Sequence, residues 1–392
     1  PVCNGSTGDI VIEGDLTQFE VSVSASIDYT VSIEEEAQSW LFMDQTRALT
    51  TQTYKFTADA YEDASGAIRS GEIRFANELY DISAAITVKQ SPKAPEGTGG
   101  GIASAADLMA FAQAVNAGAS TTRWENEAGE VVLLNDIDMS AVTEWTPIGG
   151  VDGSETNTTD VYKVVNPFKG KFNGQGFAIR NFTYNADMST GQYGYALFGS
   201  IDGATVKDLV LGDPDTEITW TFTGTAVKGT GVASLVVYAL NSTVENVTNY
   251  YNIDFAGDNS DGEICFAAGI AAAMKNSTLG GSSSKKGCVN NGFVRTGIIS
   301  NTQNGGSGMQ TGGICAFMAK DAGNQIVYCV NYGHVSSPTG RTGGIVGTMM
   351  NGNLRNCDNY GLIEDNLAGQ PGLNYSNKRM GGLAGGTDDL RT

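Results

Sequence analysis

Three short runs decide how this chain is read: Thr311-Gly-Gly-Ile-Cys-Ala316, Thr342-Gly-Gly-Ile-Val-Gly347 and Met380-Gly-Gly-Leu-Ala-Gly385. They belong to a column of glycines, Gly231, Gly269, Gly313, Gly344 and Gly382, each followed by Val, Ile or Leu. A second column runs through Phe182, Leu209, Val247, Cys288, Cys329 and Cys357 at intervals of 27, 38, 41, 41 and 28 residues. A third holds Asn249, Asn290, Asn331 and Asn359. Recurrence at such periods marks a solenoid, because one repeat can bury its inward side chains only by stacking on the next. Short strands joined by Gly-rich turns predict a right-handed parallel β-helix over residues 102–392. An Asn at one inward position predicts a ladder of amides bonded from repeat to repeat.

Outward from the repeats, Ser104 reads as the N-cap of the one convincing helix, about 104–117, with Leu108, Phe111, Ala112 and Val115 on its apolar face and Gly118 as its stop. It is expected to cap the first coil and cover its open strand edge. Residues 1–90 follow a different grammar. Phe19–Ser24, Tyr29–Ile33, Trp40–Met43, Thr53–Ala58, Gly71–Phe75 and Ile82–Val88 are short alternating runs, as in an immunoglobulin-like β-sandwich. The Pro- and Gly-rich stretch 91–101 reads as the linker. The fold class is therefore all-β, with one capping helix.

Two family resemblances attach to these regions. Tyr29-Thr-Val-Ser-Ile33, Ser39-Trp40-Leu41, the run Ile68–Phe75 and Ile86-Thr-Val-Lys-Gln90 resemble a BACON domain, a small immunoglobulin-like module of Bacteroidetes surface and secreted proteins. The resemblance implies a proposed role in carbohydrate binding but supplies no defined binding residues. The Gly-Gly-Ile runs, the Asn-Tyr-Gly signature, Trp145-Thr-Pro-Ile-Gly149 and Phe168-Lys-Gly-Lys-Phe-Asn-Gly-Gln-Gly176 resemble bacterial GLUG-repeat proteins. That resemblance covers about 290 residues and implies a secreted or surface-attached, adhesive protein.

Composition narrows the function. The 392 residues carry 52 glycines, 43 acidic against 23 basic side chains, and a formal net charge of −20. Phosphate recognition needs a basic surface, so nucleic-acid binding is excluded as an expectation. One histidine, His334, excludes a multi-histidine metal site. No apolar run reaches the 18–20 residues of a membrane span. The start at Pro1 and the lack of a signal peptide read as a processed or trimmed form, and Cys3 lacks the lipobox of a lipoprotein anchor.

Cys288, Cys329 and Cys357 stand where other repeats have Phe, Leu or Val, so they read as small buried hydrophobes, although stacked coils bring them within disulfide range. Cys265 and Cys315 read the same way. His334 has Phe293 and Leu362 as its repeat equivalents, which makes it a fold position before it is a base. Asp136/Asp138, Asp213/Asp215, Glu364/Asp365 and Asp388/Asp389 are close in sequence. Glycoside hydrolysis instead needs two acids facing each other across a cleft, and no Gly-His-Gly of a pectinase is present. Asp258-Asn-Ser-Asp-Gly-Glu263 lacks the oxygen spacing of an EF-hand and reads as a polar turn. Trp40 reads as sandwich core.

The feature with most bearing on function is an aromatic column, Tyr250, Tyr332 and Tyr360, interrupted by Asn291. Each tyrosine adjoins an inward Asn and so faces outward, where it either stacks on sugar rings or covers turn backbone. The expectation is a non-enzymatic, secreted or cell-surface protein with no catalytic residue, metal or cofactor. Its partners would be host or dietary glycans, mucin, or a surface protein. A polysaccharide lyase or glycoside hydrolase of β-helix type, and a structural stalk presenting another domain, are the alternatives.

Overall fold

The computed structural model describes residues 10–12, 17–23, 29–44, 52–61, 69–77, 79–90, 100–153, 159–258, 264–297, 308–321, 323–338, 340–364 and 379–387. Almost all of the 91–101 stretch therefore lies outside the described residues, as do Cys3, Asn259–Glu263, Asp365, Asp388 and Asp389. The chain divides into two compact units, 1–98 and 99–392.

In the first unit two sheets share one apolar core. One orders Ile10–Ile12, Ile82–Gln90, Arg69–Asn77 and Thr30–Ile33; the other orders Thr17–Val23, Gln52–Ala58 and Leu41–Asp44. Val21, Val23, Leu41 and Phe56 from the second sheet pack with Ile73, Phe75, Ile86 and Val88 from the first. Alternation along Arg69–Asn77 sends Ile73 and Phe75 inward and Glu72 and Arg74 outward. Trp40 is buried in this core, as expected, and Arg69 lies over its ring at 4.3 Å. The strand Ile10–Ile12 is an addition to the sequence reading, and it pairs parallel with Val88–Gln90.

The second unit opens with the expected helix, Ala105–Ala117. Ser104 Oγ accepts from Asp107 N at 3.1 Å, the Asp107 carboxylate accepts from Ser104 Oγ at 2.9 Å, and Gly118 closes the helix at φ 68°. Leu108, Phe111, Ala112 and Val115 are buried, and Phe111 meets Trp124, Phe168 and Phe172 in a cluster of rings.

After the helix the strands recur in a fixed circuit. Thr243–Asn249, Asn252–Phe255, Cys265–Ala268 and Ala271–Lys275 lie in four different sheets, and Thr278–Gly280 returns beside Thr243–Val244. The next circuit repeats the order, and every pairing between successive circuits is parallel. One 12-stranded and three 6-stranded sheets result, with a large apolar core inside them. A second, smaller cluster lies on the opposite side chains of two of these sheets, where Val161 and Tyr162 cover Tyr238, Phe266 and Phe317.

Register corrects two of the predicted columns. Ala178 pairs with Val210, so Phe177 stands beside Leu209 and Phe182 falls outside the column. The bend from Asn173 to Ala178 is two residues longer than the bend from Lys207 to Val210, which shifts everything after it. Gly231 pairs with Phe266 and Ala233 with Ala268, so Ser234, not Gly231, occupies the position of Gly269. The remainder aligns as read: Val289, Val330 and Asp358 are in register, which sets Cys288, Cys329 and Cys357 side by side.

The asparagine ladder is present. Asn249 Nδ2 donates to Asn290 Oδ1, Asn290 to Asn331 and Asn331 to Asn359, each at 2.8 Å. The second Nδ2 hydrogen of each amide closes the local turn on the carbonyl two residues on, of Tyr251, Gly292, Gly333 and Gly361. Asn249, Asn290 and Asn331 are fully buried and Asn359 is half-buried, so full pairing removes the penalty of desolvating them. It also explains the glycine column. A methyl at Gly313 would meet both Gly344 O and the Asn331 amide, and one at Gly344 would meet Gly382 O and the Asn359 amide. The glycines let the bend close onto the ladder.

Candidate functional site

Outward from the ladder, Tyr250, Asn291, Tyr332 and Tyr360 share one register position. Only two of the three tyrosines meet. Tyr332 and Tyr360 stack with ring centroids 5.2 Å apart and planes 14° from parallel, and they are 54% and 67% exposed. Tyr250 is half-buried and separated from them by Asn291. The pair is therefore an exposed aromatic surface, with Gly333 and Gly361 directly after it. A side chain at either glycine would strike the carbonyl of Gly292 or Gly333.

The same turns present a second outward column. Ile253, Val294, Val335 and Ile363 pair in register, so Asn252, Phe293, His334 and Leu362 are neighbours one position earlier. His334 thus sits where the sequence placed it, between Phe293 and Leu362, and its Nε2 lies 3.1 Å from Glu364 Oε2. Leu362 is largely exposed. Asp254 grips Arg295 through Nε at 3.0 Å and Nη2 at 2.5 Å, which holds the guanidinium firmly charged; Arg295 also lies 5.4 Å from the Phe293 ring. The surface joins flat aromatic faces to fixed donors and acceptors, the combination that a sugar ring with one apolar face requires.

Three of the paired carboxylates, Asp136, Asp138 and Asp213, make local contacts. Asp136 and Asp213 both bind Arg180, Asp138 accepts from Ser140 N and Asn181 Nδ2, and Asp213 also caps its own turn through Asp215 N. Among the described residues no group of three or more His, Cys, Asp or Glu is arranged to hold a metal ion, and no helix is long and apolar enough to cross a membrane.

The cysteines at 265, 288, 315, 329 and 357 are free thiols, and all but Cys357 are buried. Cys329 contacts both Cys288 and Cys357. Burial pushes the Cys329 thiol well up, whereas the hydrogen bond from Cys329 lowers Cys357 to about 7. Burial pushes Cys315 up to about 12.

A groove of about 400 Å³ escaped the sequence reading. Its floor is Trp145, Phe182, Tyr184 and Tyr195, and its rim is formed by Thr143, Glu144, Thr183, Asn185, Asp187 and Gln192. These residues come from two separated segments, so no single motif announces them. Compared with protein-family models and with curated proteins, the chain matches none.

Proposed function

We propose that the first unit is an immunoglobulin-like, BACON-type sandwich and the second a right-handed parallel β-helix of GLUG-type repeats. We read the protein as a secreted or cell-surface, non-enzymatic adhesin that binds neutral glycan or mucin chains. The observation that carries the binding assignment is the stacked, solvent-facing pair Tyr332–Tyr360, beside Phe293, His334 and Leu362. Aromatic side chains this exposed contribute little to packing, and a flat pair spanning two adjacent strands suits the apolar face of a sugar. The acidic surface favours uncharged saccharides over sulfated or uronic ones.

The test is a glycan and mucin array probed with the intact protein, scored for retention and for released reducing or unsaturated ends. Retention without release, lost in the Tyr332→Ala/Tyr360→Ala double variant at an unchanged melting temperature, is the expected result. Release of ends overturns the non-enzymatic reading. Retention that survives the double variant removes the tyrosine pair as the site.

A further inference from the structure

We propose that the groove around Trp145 and Tyr184 is a second saccharide-binding site, independent of the tyrosine pair and selective for neutral sugars. Its floor is one continuous set of rings. Trp145 meets Phe182 at 5.6 Å, Phe182 stacks on Tyr184 at 5.6 Å and 10°, and Tyr184 meets Tyr195 at 6.2 Å. The floor is locked from within: Trp145 Nε1 donates to Ala196 O at 3.1 Å, Trp220 Nε1 donates to Phe182 O at 2.6 Å, and the Tyr195 hydroxyl lies 3.5 Å from Thr190 Oγ1. A floor fixed in this way does not have to be ordered when a ligand arrives.

The rim has the opposite character. Glu144, Thr143 and Thr183 are exposed and have no hydrogen-bond or ion-pair partner among the described residues. Asn185 uses its Oδ1 to accept from Thr221 N at 3.0 Å, which leaves its Nδ2 hydrogens toward solvent. Carboxylate, hydroxyl and amide groups around an apolar floor supply both acceptors and donors, as vicinal sugar hydroxyls demand. About 400 Å³ falls within the range of small-ligand sites. With Glu144 and Asp187 on the rim and no lysine or arginine lining it, an anionic sugar is disfavoured.

The groove also shares a corner of the circuit with the tyrosine pair. Phe182–Asn185 lead into the strand Ala186–Asp187 as Tyr332–His334 lead into Val335–Ser336, and these strands belong to one sheet, four neighbours apart. Four spacings of about 4.8 Å separate the two sites by about 19 Å along the stack. A linear oligosaccharide of several residues could therefore engage both.

Saturation-transfer NMR and calorimetry on the intact chain would use maltose, cellobiose, lactose, mannobiose and diacetylchitobiose, with glucuronic acid as the charged control. At least one neutral disaccharide is expected to bind. Glu144→Ala is expected to weaken it about tenfold, and Thr183→Trp, which fills the groove from its exposed rim, to abolish it. The Tyr332→Ala/Tyr360→Ala variant is expected to leave disaccharide binding unchanged. Binding by none of the five, tighter binding of glucuronic acid, or binding lost only with the tyrosines overturns the groove assignment. With the groove blocked by Thr183→Trp, array retention that survives Tyr332→Ala/Tyr360→Ala overturns the tyrosine reading alone.

Discussion

The early and late circuits of the second unit reach the same outline by different means. At one register position the early circuit has Tyr251 and the later ones Gly292, Gly333 and Gly361. Tyr251 stacks on Trp220 at 4.8 Å, and its hydroxyl donates to Ile179 O at 2.7 Å, so one large side chain ties three circuits together. The later circuits have no such ring. They are lined by Ile314, Ile345, Cys288 and Cys329 and held in line by the amide ladder. Aromatic filling tolerates irregular bends because each ring is fitted once. A ladder does not, because its bonds require every Asn at the same height.

That contrast can be broken or sharpened by substitution, monitored by urea denaturation. The largest loss is expected for Trp220→Ala, about 3–5 kcal/mol from the vacated volume around Phe182, Tyr184 and Tyr251. A cost below about 1 kcal/mol would show that rings are not what hold the early circuits. Asn331→Ala comes next, at about 2–4 kcal/mol, because it strands the Asn290 amide and the Gly333 carbonyl. Asn331→Leu should be no better, since bonds rather than volume are lost; recovery with Leu would reduce the ladder to packing. Gly313→Ala should cost about 1–3 kcal/mol through collision with the ladder, measured against Gly118→Ala, whose added methyl meets nothing. Its αL backbone gives that control only a conformational penalty.

The smallest structural effects belong to the outer surface. Tyr332→Ala should change stability by less than about 0.5 kcal/mol, and a larger loss would return the tyrosine to a packing role. Among the five described thiols, Cys357 alone should be alkylated in the native protein, with a rate that rises through pH about 7. The sign follows from its thiolate: stabilised by Cys329, it forms below the usual thiol range, whereas Cys315 stays protonated up to about 12. Peptide mapping after iodoacetamide at several pH values reads this directly; equal labelling of Cys329 would mean that the last circuit opens.

Much of this architecture was legible because inward positions repeat. Asn290, Asn331 and Asn359 and the Gly-Gly-Ile runs are constrained by each other, so their spacing announces their contact. The reading failed at Phe182 and Gly231, where register depends on how many residues a bend consumes. Neither the longer bend before Ala178 nor the substitution of Ser234 for glycine leaves a mark in hydrophobic pattern. Ser234 instead uses its hydroxyl to bond Gly269 O, so a polar contact replaces the bare backbone found in later circuits. Alternation pointed to the exposed faces of Tyr332 and Tyr360 but not to the half-burial of Tyr250, and it is silent on stacking, which required adjacent circuits without an Asn291 between them. The groove was invisible because Trp145 and Tyr184 come together only in three dimensions.

The amide ladder has a direction. Each Asn from 249 to 331 donates to the Asn of the next circuit, and none donates backward. The side-chain dipoles therefore add rather than cancel, as peptide dipoles do along a helix. A column of them is an electrically polar rod inside an apolar sleeve, with its N–H end at Asn359. Replacing one member by aspartate would interrupt that rod on one side only, since a carboxylate can still accept from the circuit before it but has nothing to donate to the circuit after.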